Sequence, residues 1–267
     1  MAFLVGNSSA QSLNGTESDD TIQGLAGNDR LFGLGGKDIL FGGSGNDLLA
    51  GGTGEDILFG GSGLDSASYA NATAAMVVNL GTRTSSGPDG ADTFRSIEGI
   101  YGSAFNDLLT GDAGDNFLNG LQGNDTLDGG AGLDIATYFE ATGPITANMA
   151  TGVVTGAAGT DVLISIEGLI GSPFADILTG DAQDNTLQGE LGNDIMDGGA
   201  GFDTVRYASS PAAVIVNLAA GTGTGGQGAD VLTGFEAIFG SGFADTLIGN
   251  SAKNTLTGFD GDDLLAG

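Results

Sequence analysis

The chain has 267 residues, 52 of them glycine, with 34 acidic side chains against 6 basic ones and no cysteine, histidine or tryptophan. A formal net charge of −28 excludes a phosphate-binding, nucleic-acid surface, which needs a basic face. Without cysteine there is no disulfide framework or thiolate metal site, and without histidine neither a Ser–His–Asp triad nor an HExxH zinc site.

Charge this negative disfavours a compact state unless cations neutralise it. Composition alone fits a disordered, solvating linker; what opposes that reading is a strict register between aspartate and apolar positions, and disorder remains the expectation for the cation-free chain. No apolar run approaches the ~18 residues that span a bilayer. The start, MAFLVG, is too short and lacks the basic region of a secretory signal peptide.

In chain order, Ala2 to Val5 is an apolar strand candidate expected to cap the first coil, with the regular structure beginning between Asn14 and Gln23. From Gly24 to Ser68 the sequence falls into five consecutive nonapeptides, clearest in GGSGNDLLA at Gly42 and GGTGEDILF at Gly51. Each follows Gly-Gly-x-Gly-x-Asp-x-U-x, U being apolar. The sixth place holds Asp29, Asp38, Asp47, Asp56 and Asp65, the eighth Leu31, Leu40, Leu49, Leu58 and Ala67, and Asp20 and Ile22 keep the same phase. Glycines at places one, two and four permit a tight turn, and the last three residues form a short strand with U pointing inward.

Two nonapeptides make one coil, so equivalent residues two nonapeptides apart stack at about 4.8 Å, the spacing of paired strands. Asp20, Asp38 and Asp56 then line one edge and Asp29, Asp47 and Asp65 the other. Two unit charges about 5 Å apart cost about 3 kcal/mol at an effective dielectric near 20. A divalent cation between them reverses the sign, and carboxylate and turn-carbonyl oxygens suit calcium better than magnesium. The carbonyls expected to contribute are those of Gly24, Gly27, Gly33, Gly42, Gly43, Gly45, Gly51, Gly52, Gly54, Gly60, Gly61 and Gly63.

These residues resemble the RTX (repeats-in-toxin, haemolysin-type) calcium-binding repeat family, whose nonapeptide has this pattern. The resemblance implies an all-β fold, a parallel β-roll or right-handed β-solenoid, with Ca2+ as ligand. It also implies secretion to the cell exterior or surface by a type I route with a C-terminal signal. The present chain ends in mid-repeat at Leu264–Gly267 without that signal, as a fragment or an unusual terminus would.

A longer period overlies the nonapeptide. The interval from Gly33 to Gly102 recurs from Gly102 to Gly171 and from Gly171 to Gly240. The same interval separates Tyr69, Tyr138 and Tyr207, Asp92, Asp161 and Asp230, and Glu98, Glu167 and Glu236. The expected organisation is a cap and first degenerate repeat (1–23), repeat blocks at 24–68, 102–137, 171–206 and 240–267, and β connectors at 69–101, 138–170 and 207–239, all in one continuous solenoid of a monomer. Each connector holds a β-rich segment and a turn that itself reads as a nonapeptide (GPDGADTFR, GAAGTDVLI, GGQGADVLT), and is expected to continue the spiral as a longer coil with a protruding loop. No helix is expected.

Later blocks continue the ladder with Asp107, Asp125 and Asp134, with Asp176, Asp194 and Asp203, and with Asp245 and Asp263; Asn116, Asn185 and Asn254 interrupt it. The pairs Asp20/Asp38, Asp38/Asp56, Asp29/Asp47, Asp47/Asp65, Asp107/Asp125, Asp176/Asp194 and Asp245/Asp263 predict about seven good calcium sites, while Asn116/Asp134 and Asn185/Asp203 are weaker sites or plain turns. Leu109, Leu118, Leu127, Leu178, Leu187, Met196, Val205, Leu247, Leu256 and Leu265 complete the expected core. Phe32, Phe41 and Phe59 face outward as a docking stripe or a simple stack. Glu98, Glu167 and Glu236 are connector structure or metal ligands, and the three tyrosines close each block or stack on a ligand.

No catalytic motif is present within the chain. The functional reading is therefore a non-catalytic, secreted roll that binds calcium and folds on it outside the cell. The alternatives are the repeat region of a larger secreted enzyme (protease, lipase, glycanase or epimerase) or of a surface adhesin or membrane-active protein, with a cell-surface or polysaccharide partner.

Overall fold

A computed structural model describes all residues, Met1–Gly267, as strands joined by tight turns. It contains no helix, and so none long and apolar enough to cross a membrane. The chain divides into two compact units, Met1–Asp134 and Ile135–Gly267.

In the first unit, strands alternate between two sheets. One sheet stacks Phe3–Val5, Thr21–Ala26, Ile39–Ser44 and Ile57–Ser62; the other stacks Ser12–Asn14, Arg30–Gly35, Leu48–Thr53 and Ser66–Ser68. All these neighbours are parallel, with partners two nonapeptides apart, such as Ile22 with Leu40 and Leu31 with Leu49. Side chains on a strand alternate faces, so places six, eight and one of successive nonapeptides (Asp38, Leu40 and Gly42, for example) all turn inward and are buried. The core is thus a single file of Ile22, Leu31, Leu40, Leu49, Leu58 and Ala67, each at most 1% exposed, flanked on both edges by carboxylates.

The three glycine places serve two purposes. At place two or four the backbone has positive φ, as at Gly45 (φ 123°), which side chains with a Cβ resist. At place one the constraint is space: a Cβ on Gly33 would lie 2.2 Å from Asp38 Oδ2 and 2.4 Å from the Gly51 carbonyl oxygen.

Two expectations are corrected here. The N-terminal segment is more than a cap, because Phe3–Val5 pairs with Thr21–Gln23 and Ser12–Asn14 with Arg30–Phe32, so the roll begins at Phe3 rather than near Asn14. The connector is also not one enlarged coil. After Ser66–Ser68 the chain forms Val77–Asn79, turns back antiparallel as Thr84–Ser86, and returns as Thr93–Arg95 parallel to Ile57–Phe59. The first of these strands then supports Leu108–Thr110. A reversed strand is thereby inserted into an otherwise parallel sheet, while the opposite sheet gains only Gly99–Tyr101.

The second unit repeats this plan. Ile145–Asn148, Val153–Gly156 and Gly159–Ile164 form one antiparallel meander, and Val214–Asn217, Thr222–Gly225 and Gly228–Thr233 another, the latter returning beside Ile195–Asp197. Leu178, Leu187, Met196, Val205 and Leu247 are buried as expected, whereas Leu256 is half-buried and Leu265 is 48% exposed, because no strand packs beyond theirs. Phe41 and Phe59 stack at 4.8 Å with the Arg95 guanidinium over Phe59, so the outward stripe is at least a simple stack.

Crowding at place one gives a direct test. Gly33→Ala should lower stability in saturating calcium by about 1–3 kcal/mol, the usual cost of overpacking. Gly242→Ala, where a Cβ would meet nothing within 4 Å, should stay within about 0.5 kcal/mol. Urea unfolding of both variants checks the contrast.

Candidate metal centre

Each inward aspartate occupies the first position after its turn, and its two oxygens have different surroundings. Oδ1 accepts the main-chain N–H of the residue one coil earlier: Asp20 N donates to Asp38 (2.7 Å), Asp29 to Asp47 (2.8 Å), Asp38 to Asp56 (2.7 Å) and Asp47 to Asp65 (2.8 Å). The same bond joins Asp107 to Asp125, Asp176 to Asp194 and Asp245 to Asp263. The structure therefore brings together every aspartate pair expected from the spacing of two nonapeptides. Oδ2 turns toward the first glycine of its own nonapeptide, and in Asp29, Asp38, Asp47, Asp56, Asp65, Asp194 and Asp203 it is buried with no hydrogen-bond partner.

Turn carbonyls of the first-place glycines lie near the same space, and others pack glycine on glycine between coils. Those of Gly33, Gly42, Gly51 and Gly60 lie against the first-place glycine of the preceding coil, and those of Gly27, Gly43, Gly45 and Gly54 against a glycine of the following one. No three acidic side chains converge on one point, so a metal here draws on paired carboxylates and main-chain oxygens. That donor set, hard oxygen throughout with buried acceptors lacking a donor, fits calcium.

The first rung of each block differs. Asp107 accepts from Met76 N and Ser103 Oγ at Oδ1 and from Ser103 N at Oδ2; Asp176 and Asp245 have the same partners in Ile145 and Ser172, and in Val214 and Ser241. Asp20 is closed similarly by Ala2 N and by the N–H and hydroxyl of Thr16. Asn116 and Asn185 keep the N–H bond to Asp134 and Asp203, but their Oδ1 atoms accept from the turn residues Asp112 and Asp181.

Sequence reasoning missed that the connectors continue the ladders. Asp92 Oδ1 accepts from Asp56 N (2.9 Å) and Asp230 Oδ1 from Asp194 N (3.0 Å). Glu98 Oε2 and Glu236 Oε2 accept from Asp65 N and Asp203 N. Recurrence of these acids at the longer period was the signal. Tyr69 and Tyr207, both buried, donate their hydroxyls to Asp92 Oδ2 (2.7 Å) and Asp230 Oδ2 (2.8 Å). Ser85 Oγ also donates to Asp92, whereas Gly223 stands in its place beside Asp230. A second, outer ladder was also missed: at place five, Asn28 accepts from Asn46 N, Asn46 from Leu64 N and Asp19 from Lys37 N.

Burial raises five of the ladder carboxyls well above the usual carboxylate range. Burial, helped by the charges of Asp92, Asp38 and Asp89, pushes Asp56 up to about 7 against the opposing hydrogen bond from Asp38. Asp194 reaches about 7 by burial together with Asp230, Asp176 and Glu190. Asp38, Asp65 and Asp203 reach about 6, again chiefly by burial.

A parallel roll with glycine turns and stacked, buried carboxylates defines a calcium-binding repeat protein. The family model of the RTX calcium-binding nonapeptide repeat (4 copies) matches residues 5–40, 14–49, 32–67, 101–136, 170–205 and 239–267, together more than half of the sequence. The chain belongs to this family, and calcium is its ion. Among solved structures it is similar to one described as extracellular lipase LipA from Serratia marcescens, at 16% identity and a TM-score of 0.20, covering 87% of this chain and 37% of that one. Compared with curated proteins, the sequence has no match.

Two outcomes are expected from this geometry. A carboxyl raised in the folded state binds its proton more tightly there than in the unfolded chain. Without metal, these groups therefore favour the fold below about pH 4 and lose that contribution as pH rises through about 6 to 7. The calcium-free chain should gain strand content between about pH 8 and about pH 5, while calcium affinity falls over the same interval. Circular dichroism and calorimetric titration across that range check both, and pH-independent strand content would refute the assignment. Separately, Tyr207→Phe should cost about 1–3 kcal/mol in urea unfolding, and Tyr69→Phe less, because Asp92 keeps the Ser85 hydroxyl.

Proposed function

We propose that this chain is a non-catalytic, calcium-operated folding segment that works outside the cell. Its ions sit between Asp20/Asp38, Asp38/Asp56, Asp29/Asp47, Asp47/Asp65, Asp107/Asp125, Asp176/Asp194 and Asp245/Asp263, with carbonyls of the adjoining glycine turns completing each shell. The observation that carries this reading is the run of buried aspartate Oδ2 atoms without a hydrogen-bond donor at Asp29, Asp38, Asp47, Asp56, Asp65 and Asp194, a costly arrangement that a cation relieves. The extra ladder residues Asp92 and Asp230 lie outside these pairs, at the connector end of a ladder, where a buried tyrosine hydroxyl bonds the second oxygen. The weaker rungs at Asn116 and Asn185 act as turns.

In a low-calcium compartment the stacked charges keep the chain open, which suits export through a narrow type I channel. At the higher calcium level outside, each ion joins two coils, and binding free energy becomes folding free energy. RTX repeats are typical of secreted proteins, which supports the location.

Far-UV circular dichroism of the chelated protein, titrated with calcium and in parallel with magnesium, tests the proposal. A cooperative coil-to-strand transition for calcium alone is expected, with about seven ladder ions by calorimetry. Full strand content in chelator at neutral pH, unchanged by calcium, would overturn it.

A further inference from the structure

A polar cluster in the unit Ile135–Gly267 has no counterpart in the ladders. Glu190, 7% exposed, stands at place two of its nonapeptide, where the first block carries glycine or leucine. Its carboxylate accepts from Gln188 Nε2 and from Ser209 Oγ (2.9 Å). Ser209 Oγ in turn accepts from Gln188 Nε2 (3.0 Å) and from Gln227 Nε2 (2.7 Å). Three polar side-chain ends thus converge on one hydroxyl.

Two features of this cluster call for positive charge. Glu190 stands outside the ion pairs Met1–Asp20 and Lys37–Glu55 and accepts only from neutral donors. Gln227 is 3% exposed, is tied to the cluster through its amide nitrogen, and leaves its Oε1 buried without a donor. A buried carboxylate without a cation and a buried amide oxygen without a donor are each unfavourable. A half-turn of the last torsion exchanges oxygen and nitrogen in each glutamine. The cluster can therefore present a carboxylate, two amide oxygens and a hydroxyl to one ion, a hard oxygen set of the kind calcium selects.

We propose that Glu190, Gln188, Ser209 and Gln227 form a side-chain calcium site separate from the aspartate ladders. The counterparts one long period earlier are Leu121, Asn119, Glu140 and Ala158, so this set of ligands occurs once in the sequence. The site adjoins the ladder at Asp194, which feels the Glu190 charge, yet it shares no ligand side chain with it.

Native mass spectrometry of the full chain at saturating calcium counts the bound ions. Glu190→Gln and Gln227→Leu should each bind one ion fewer than the parent, and the double variant also one fewer rather than two. Ser209→Ala, at an exposed position, should weaken that ion about tenfold, and magnesium should leave the site empty. Asp47→Asn, measured alongside, reports on the ladder, so failure there is distinguishable from failure here. A full complement of ions in Glu190→Gln or in Gln227→Leu, or unchanged affinities in Ser209→Ala, would overturn the proposal.

Discussion

The inward aspartate at the end of each turn is the constraint on which the rest depends. One oxygen ties down the N–H of the coil before it, as Asp47 does for Asp29, so the carboxylate cannot leave without opening the ladder. The other oxygen is thereby held inside, facing a glycine that has no room for a side chain. Because the strands are in register, the same group recurs at every step, and like charges are stacked at the strand spacing, about 4.8 Å. The core between them is one residue wide, and a fully buried leucine contributes only about 1.5–3 kcal/mol. A repulsion of about 3 kcal/mol per contact is of the same size. A cation between the carboxylates offsets that repulsion.

The connectors solve a related difficulty. Inserting a reversed strand breaks the parallel register, yet the N–H groups of Asp56 and Asp65 still need acceptors, and Asp92 and Glu98 supply them from farther along the chain. Tyr69 then satisfies the carboxylate oxygen that would otherwise join the orphans. At the first rung of the next block, Ser103 does the same for Asp107. Blocks of stacked carboxylates are therefore bounded by rungs whose charges are already hydrogen-bonded.

Much of this was legible in the sequence because two periodicities reinforce each other. Aspartate and leucine two places apart, repeated in every nonapeptide, determine both the inward face and the pairing of Ile22 with Leu40. The reversal at Thr84–Ser86 was not legible, since so short a strand between turns carries too little pattern to reveal its direction. Nor was the opening coil, where Leu4 and Leu13 keep the apolar place while Ala2 and Gln11 stand where aspartate is expected. Its main-chain N–H groups nevertheless bond to Asp20 and Asp29 as the aspartates' own do. In the candidate site, the pairs followed from spacing alone. The difference between open and closed rungs depended on Ser103, Ser172, Ser241 and Thr16, whose hydroxyls look ordinary in a chain this rich in small residues.

The inserted hairpin also has a mechanical meaning. A coil peeled from one end of a regular block frees two nonapeptides, roughly 60 Å of extended chain, and each successive coil gives way in the same increment. At a connector, the strand Thr93–Arg95 is joined to its neighbour Ile57–Phe59 across twice as much chain, and the antiparallel strand Thr84–Ser86 is held between Thr93–Arg95 and Val77–Asn79. Under tension the protein would lengthen in short, equal steps, punctuated by a longer and more resistant one wherever the long repeat renews itself. A polymer built this way is graduated along its length like a ruler.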